Sequence, residues 1–426
     1  MHISNNQELQ FFIPDVASMA TSTSSSSTAK PMEAVRSGTG SVLSNVVTVL
    51  LLLSLGFVFG MVYNSNFQES HLTPFLQPLP SLRRSSARPS PTPVVACGVG
   101  PPSPSPTSPQ FPPQARMGFA DFLVPSGDGL MHNMTDEELF WRASMVPRVA
   151  LAPRRIVPKV AFLFLVTGDL PLRPLWEKFF AGHEGLYSIY VHASPAYTGS
   201  PPADSVFYGR MIPSQNTSWG NMNLVDAERR LLGTALLDLG NARFALLSET
   251  CIPLLSFPAA YAFLTGANAS FIDSFPTRAR HAPFFLQRNI SRAQWRKGSQ
   301  WFEMDRALAI DVVAEERYMA VFRGDHGIAN MLEHYMPTLV TLLGWGARAA
   351  NRTLTYTDWP RPGPHPASYG VRDVTPELLE GMRRGNGECG YGAGRADEFC
   401  FMFARKFSGD ALDKLLELAP KVMGFG

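Results

Sequence analysis

The stretch Val160-Ala161-Phe162-Leu163-Phe164-Leu165-Val166 decides the fold class of this chain. A continuous apolar run of strand length suits a parallel strand that is buried on both faces of its sheet. An amphipathic stretch at 172–180 follows it, and a second strand-like run, Tyr187-Ser188-Ile189-Tyr190-Val191, comes next. The periodicity changes from strand to helix and back, which predicts an α/β fold.

The alternation continues toward the C-terminus. Further strands are predicted at 209–212, 244–247 and 271–272, and further helices at 224–239, 307–313 and 329–343. Strands that alternate with helices predict a mostly parallel, Rossmann-type sheet with flanking helices and a ligand site at the carboxyl ends of the strands. No Gly-x-Gly-x-x-Gly or P-loop pattern is present, which argues against dinucleotide binding and ATP hydrolysis.

An apolar segment near the N-terminus predicts a membrane anchor. Residues 41–63 hold no charged side chain, and 23 helical residues span roughly 35 Å, enough to cross a bilayer. A cleaved signal peptide would lie closer to the N-terminus and be shorter. Lys30 and Arg36 precede the segment and only Glu69 closely follows it, which predicts a cytosolic N-terminus and a type II topology.

The composition separates the chain into four predicted regions. Of its 36 prolines, 13 fall between His71 and Arg116, where a segment of this composition favours extended, unfolded chain. We therefore predict a Ser-rich cytosolic tail at 1–40, the anchor at 41–63, a Pro/Ser-rich lumenal stem at 64–116 and one folded domain at 117–426. The net charge of +2 argues against an electrostatic nucleic-acid binder.

Sequons and cysteines agree with a lumenal domain. All the Asn-x-Ser/Thr sequons follow the anchor, and they begin at Asn133, Asn216, Asn268, Asn289 and Asn351. The four cysteines also follow it, and oxidising conditions there permit disulfides. Cys389 and Cys400 are the expected pair, whereas Cys251 in its apolar segment is expected to be a buried thiol.

Several motifs follow the predicted strands. They are Val191-His192-Ala193-Ser194, Ser218-Trp219-Gly220, Ser248-Glu249-Thr250-Cys251, Trp295-Arg296-Lys297-Gly298-Ser299-Gln300-Trp301, Leu332-Glu333-His334-Tyr335 and Phe403-Ala404-Arg405-Lys406-Phe407. From about Thr135 to the C-terminus this succession resembles the core-2/I-branching β-1,6-N-acetylglucosaminyltransferase family, in particular its plant branch with the brittle-culm-type glycosyltransferases.

The resemblance implies a GT-A-like fold, a UDP-sugar donor, inversion at the anomeric carbon and no metal requirement. The sequence has no Asp-x-Asp triplet, and we interpret Asp305 in Glu303-Met304-Asp305 as a helix N-cap rather than a metal ligand. No cofactor is expected, since the UDP-sugar is a substrate. Without a metal, fixed cations must stabilise the charge on the departing diphosphate.

The resemblance assigns those cations and a catalytic base. Lys406 matches the family's diphosphate-binding lysine, and Arg383 stands at the spacing of its partner arginine, with the adjacent Arg384 leaving the register open. Glu333 matches the catalytic glutamate, which would take the proton from the acceptor hydroxyl. Leu332 stands where the family usually has an acidic residue. The alternative for Glu333 is a helix-dipole contact, and for the cations a solvated surface.

The remaining candidates are pocket residues. Trp295 and Trp359 can stack on a sugar or on uracil, and Arg296 and Lys297 can bond hydroxyls or phosphate; their alternatives are core tryptophans and a solvated basic turn. His192 and Ser194 stand at the end of the second strand, where a nucleoside contact is expected, although His192 also suits a core position.

The sequence therefore predicts an inverting, metal-independent glycosyltransferase of the Golgi membrane. It would move N-acetylglucosamine from a UDP-sugar to a hydroxyl of a glycan or glycoprotein acceptor. Transfer of another sugar such as glucuronic acid is one alternative, and a membrane-tethered lectin that has lost catalysis is the other.

Overall fold

The structure is a computed structural model, and it describes residues 130–147, 156–277, 283–324, 328, 330–360, 365–385, 389 and 399–426. The predicted tail, anchor and stem lie outside these residues, and so does the start of the predicted folded domain. Within the described ranges, no helix combines the length and the apolar character that a membrane span requires.

Ten strands and ten α-helices are assigned within the described ranges. The strands are β1 Lys159–Leu165, β2 Tyr187–His192, β3 Asn241–Ser248, β4 Ile252–Pro253, β5 Phe271–Ile272, β6 Phe275–Pro276, β7 Arg296–Lys297, β8 Phe302–Asp305, β9 Thr355–Thr357 and β10 Phe403–Arg405. The helices are α1 Asp136–Ala143, α2 Arg173–Phe180, α3 Asn223–Leu236, α4 Phe257–Gly266, α5 Pro283–Leu286, α6 Arg306–Ala314, α7 Arg317–Phe322, α8 Leu332–Leu342, α9 Pro376–Arg384 and α10 Leu412–Leu418.

A five-stranded sheet in the order β2-β1-β3-β8-β5 forms the centre of the fold. Strand β1 pairs in parallel with both neighbours, so that Phe162 lies opposite Ile189 on one side and Ala245 on the other. Strand β8 is antiparallel to β3 and to β5. Four strands thus point the same way, and the predicted mostly parallel sheet with flanking helices is confirmed.

Helices cover both faces of this sheet. Leu163 of β1 packs in one apolar cluster with residues of α3 and α6, and Phe162 packs in another with residues of α2 and α4. The rings of Phe162 and Phe180 lie 4.9 Å apart in an edge-to-face arrangement, a favoured aromatic geometry. Successive strand residues point to opposite faces, which explains why the run 160–166 is apolar throughout.

A smaller sheet brings the C-terminal part of the chain to the central one. Its order is β4-β10-β9, with Ala404 opposite Ile252 on one side and Tyr356 on the other. The backbone N–H of Phe407 donates to the carbonyl of Thr250 at 2.9 Å. The segment that carries Lys406 is therefore tied to the chain just after β3.

Local signals in the sequence predicted helix starts well. Thr135 and Glu138 form a capping box at α1, and Asp305 accepts a hydrogen bond from the Leu308 N–H at 2.8 Å, which confirms its N-cap role. The strand predicted at 209–212 is wrong, since it reduces to one bridge between Met211 and Val191. Gly209 in a left-handed conformation and Pro213 bound this segment and limit its pairing.

Candidate active site

A cleft of about 810 Å³ opens where β1 and β3 end. Val166 and Thr167 follow β1 into its wall, and Ser248 and Glu249 come from the end of β3. The loop before α3, the segments around residues 273–275 and 297–301, the start of α8, and strands β9 and β10 also contribute to the lining. The position agrees with the general rule that ligands bind outside the carboxyl ends of parallel strands.

Glu333 lies in the first turn of α8 and lines this cleft. Its Oε2 lies 3.2 Å from the Nζ atom of Lys297, and the Glu333 side chain is 30% exposed. The residue before it, Leu332, is buried in the apolar cluster of α3 and α6 and also borders the cleft. Glu333 is thus held by one cation and open to the cleft.

The backbone around Gly298 fixes the geometry near Glu333. The Gly298 N–H donates to the carbonyl of Glu333 at 2.9 Å, and a Cβ atom at this position would lie 1.8 Å from the carbonyl oxygen of Asp273. Only glycine allows this close approach. The Ser299 N–H donates to Oδ2 of Asp273 at 3.1 Å, and burial raises the pKa of Asp273. A second carboxyl group therefore lines the cleft on a segment joined to Glu333.

Lys406 also lines the cleft, directly after β10 and beside Arg405. Burial lowers the pKa of Lys406, the neighbouring Arg405 lowers it further, and Glu249 acts in the opposite direction. Glu249 itself accepts a hydrogen bond from the Thr167 hydroxyl at 3.1 Å. The cleft thus has a cationic wall formed by adjacent residues of one strand end.

Arg383 is not brought to this wall. It lies in the last turn of α9, where its Nη1 donates to the carbonyl of Val422 at 2.8 Å. Its side chain does not border the cleft. The structure therefore does not bring Arg383 into the cleft with Lys406, although the resemblance implied that they act together.

The predicted aromatic residues divide between the cleft and the core. Trp359 lines the cleft and is 48% exposed. Trp295 is fully buried and stacks on His334, with ring centroids 4.5 Å apart. Trp295 is therefore a core residue, which was the alternative to a role in stacking on a sugar or on uracil. Of the basic pair beside it, Lys297 lines the cleft, whereas Arg296 is only partly buried in β7 and does not.

His192 and Ser194 also lie outside the cleft lining. His192 is buried, and its Nε2 accepts a hydrogen bond from the Gln215 N–H at 3.2 Å. Burial, with a smaller effect from Arg230, lowers the pKa of His192 to about 4, so that the ring is neutral near pH 7. The Ser194 hydroxyl accepts a bond from the Ala196 N–H at 3.3 Å. These contacts favour structural roles for both residues.

Glu303 is a buried carboxyl group beneath the cleft. It accepts hydrogen bonds from the Leu354 N–H at 3.1 Å and the Thr355 hydroxyl at 3.3 Å. Burial raises the pKa of Glu303 to about 8.

Among the described residues, no group of three or more His, Cys, Asp or Glu side chains is arranged to hold a metal ion.

Sequence reasoning missed several residues of the cleft, namely Asp273, Phe275 and Arg352, and it quoted Trp219 and Arg405 only as parts of motifs. Trp219 is 64% exposed, and its ring lies 5.5 Å from that of His365. A tryptophan that directly follows the polar stretch Ser214-Gln215-Asn216-Thr217-Ser218, in the loop after β2, is the signal that could have identified it.

The predicted glycosylation sites are exposed, and the described cysteines are arranged as the sequence predicts. Each of the five sequon asparagines is exposed. A disulfide joins Cys389 to Cys400, and Cys251 is a buried free thiol.

Comparison with known proteins identifies the family. The model of the Core-2/I-Branching enzyme family matches residues 160–383, which run from β1 into α9 and contain most of the cleft residues. This chain belongs to the Core-2/I-branching enzyme family. Glycosyltransferase BC10 of Oryza sativa subsp. japonica is 32% identical to it over 306 residues, which cover 61% of this chain and 76% of the rice protein. The cleft is therefore that of a protein from a glycosyltransferase family.

Proposed function

We propose that this protein transfers a sugar from a UDP-sugar to a hydroxyl of a glycan acceptor, with inversion and without a metal ion. N-acetylglucosamine is the proposed sugar, and the proposed fold type is GT-A-like. One observation carries the proposal: in a chain of this family, the carboxylate of Glu333 and the ammonium of Lys406 line one cleft at the carboxyl ends of β1 and β3.

The proposed reaction is a single displacement. The oxygen of the acceptor hydroxyl forms a bond to the anomeric carbon while the bond from that carbon to the diphosphate oxygen breaks. Glu333 takes the hydroxyl proton, and the departing UDP keeps the electron pair of the broken bond. Lys406 stabilises the negative charge that develops on the diphosphate. Lys297 holds the carboxylate in place through its contact with Oε2.

Aromatic side chains support a carbohydrate acceptor. Trp219, Phe275 and Trp359 all line the cleft and all remain substantially exposed. Exposed aromatic faces in the cleft suit the apolar faces of sugar rings, while Asp273 and Gln300 offer hydrogen-bonding groups for hydroxyls. The acceptor is accordingly a glycan, free or attached to protein.

The proposed location is the Golgi membrane, with the catalytic domain in the lumen. The uncharged segment at 41–63, the exposed sequon asparagines and the disulfide between Cys389 and Cys400 support this location.

A donor screen tests the proposal. The purified full-length protein is incubated in EDTA with UDP-N-acetylglucosamine or UDP-glucuronic acid and cell-wall glycan fragments, and products are read by mass spectrometry. We expect a mass increase of one N-acetylglucosamine. Transfer of glucuronic acid alone would change the sugar and keep the mechanism, and a strict need for Mn²⁺ would contradict the metal-independent mechanism.

A catalytically inactive lectin is the second candidate, favoured by the apolar Leu332 beside Glu333. Calorimetry with UDP separates the two, since a glycosyltransferase binds UDP in the cleft and a lectin that binds only the glycan does not.

A further inference from the structure

Arg405 borders the cleft next to Lys406. Its guanidinium carbon lies 4.2 Å above the centre of the Trp301 ring, which itself lines the cleft. The Nε atom of Arg405 is buried and has no hydrogen-bond partner within the described chain. Trp301 therefore fixes the plane of a guanidinium whose donors are not all used by the protein.

The other cations of the cleft have protein partners. Lys297 contacts Glu333, and Arg352 donates to the backbone carbonyls of Cys400 and Thr353. Across the described ranges, neither Arg405 nor Lys406 forms an ion pair with a carboxylate. Among the described residues, these two adjacent positive charges thus border the cleft without a salt bridge, and Glu249 is the carboxylate that acts on both of them from a longer distance.

The electrostatics of this pair favour an anion. Burial lowers the pKa of Arg405, and the Cys251 thiol and Glu249 only partly offset that effect. Placing unpaired charges away from water costs free energy that an added anion of opposite sign recovers. A planar guanidinium beside an ammonium suits a group with several anionic oxygens, since the former binds two oxygens at once and the latter one.

Arg383 also has a buried Nε atom with no hydrogen-bond partner within the described chain, but it does not share the cleft with Lys406. Its Nη1 is used by the carbonyl of Val422, and its side chain lies outside the cleft. Arg405 is next to Lys406 in sequence and shares the cleft wall with it.

We infer that Arg405, rather than Arg383, is the second cation that binds the diphosphate of the nucleotide together with Lys406. This inference rests on the proposed UDP-sugar donor and names a binding residue for it. Because two cations face a diphosphate, the pair should discriminate between nucleotides by their second phosphate. The affinity for UDP should therefore depend on Arg405 much more strongly than the affinity for UMP does.

Calorimetry of the full-length protein with UDP and with UMP tests the inference. Arg405→Ala should weaken UDP binding by about 30-fold and UMP binding by less than about threefold. Arg405→Lys keeps the positive charge but loses the guanidinium that binds two oxygens at once. Its affinity for UDP should lie between those of Arg405→Ala and the wild type. Arg383→Ala should keep UDP affinity within about threefold. Arg384→Ala, a change at an exposed arginine paired with Glu380 on α9, is the matched control.

The outcomes are distinguishable. A wild-type protein that binds neither nucleotide contradicts the proposed UDP-sugar donor and the inference with it. A wild type that binds UDP, with Arg405→Ala binding it equally well, contradicts the inference alone. A loss confined to Arg383→Ala restores Arg383 as the partner of Lys406. The melting temperature of each variant shows whether it is folded, and Arg405→Lys decides the question if Arg405→Ala does not fold.

Discussion

The ammonium nitrogen of Lys297 lies 3.2 Å from the Oε2 atom of Glu333, and both side chains line the cleft. Lys297 comes from β7 and Glu333 from the first turn of α8, so the contact joins two separate segments at the site. The other carboxylate oxygen, Oε1, accepts no hydrogen bond from the described residues. One oxygen is thus anchored while the other is available to an acceptor hydroxyl.

Lys297→Met should lower kcat by about fivefold and change the KM for the donor little. A partly exposed ion pair contributes up to about 1 kcal/mol, which corresponds to roughly fivefold in rate. Steady-state kinetics at saturating donor measure the effect. A loss as large as that of removing the Glu333 carboxylate would mean that Lys297 contacts a reacting group itself.

Trp219→Ala should raise the KM for the glycan acceptor by about tenfold. The exposed indole would lose apolar contact with a sugar ring, and about 1.4 kcal/mol of lost binding is tenfold. Trp141→Ala is the matched control, since Trp141 is a 70% exposed tryptophan on α1 that does not line the cleft. Equal acceptor KM values for the two variants would exclude Trp219 from the acceptor site.

Glu303→Gln should flatten the dependence of stability on pH between about 5 and 8. Burial raises the pKa of Glu303 to about 8, whereas the unfolded chain releases this proton near pH 4.5. The folded state therefore holds one more proton in this range, and its stability falls as pH rises, by up to about 1.4 kcal/mol per pH unit. The neutral amide has no such proton to lose.

Chemical denaturation of the wild type and Glu303→Gln at pH 5.5 and pH 8 measures this difference. The variant should gain stability relative to the wild type at the higher pH. Burial also raises the pKa of Glu228 to about 8, so a residual slope of the same sign is expected in the variant. Parallel stability curves would show that Glu303 is charged in the folded protein throughout.

The central strands and several helix starts could be predicted because their signals are local. The run at 160–166 has no polar residue, and Thr135 and Asp305 are good N-cap residues. These patterns depend on the neighbours in sequence alone. The mostly parallel sheet followed from the alternation of such segments.

The composition of the cleft could be predicted only in part. Lys406, Glu333, Lys297 and Trp359 do line it, whereas Arg383, Trp295 and Arg296 do not. The direction of these side chains depends on distant partners, such as the Val422 carbonyl for Arg383 and the His334 ring for Trp295. Asp273 was missed because contacts between distant segments, namely the pairing of β6 with β7 and the close approach at Gly298, bring its segment to Glu333.

The most direct test of the account is the turnover of Glu333→Gln compared with the wild type, with UDP affinity measured on the same samples. Glutamine keeps the size of the side chain but cannot take the acceptor proton. We expect turnover to fall by a factor on the order of 10² or more while UDP affinity stays within about twofold. A Glu333→Gln protein that transfers sugar at the wild-type rate would contradict the assignment of Glu333 as the catalytic base.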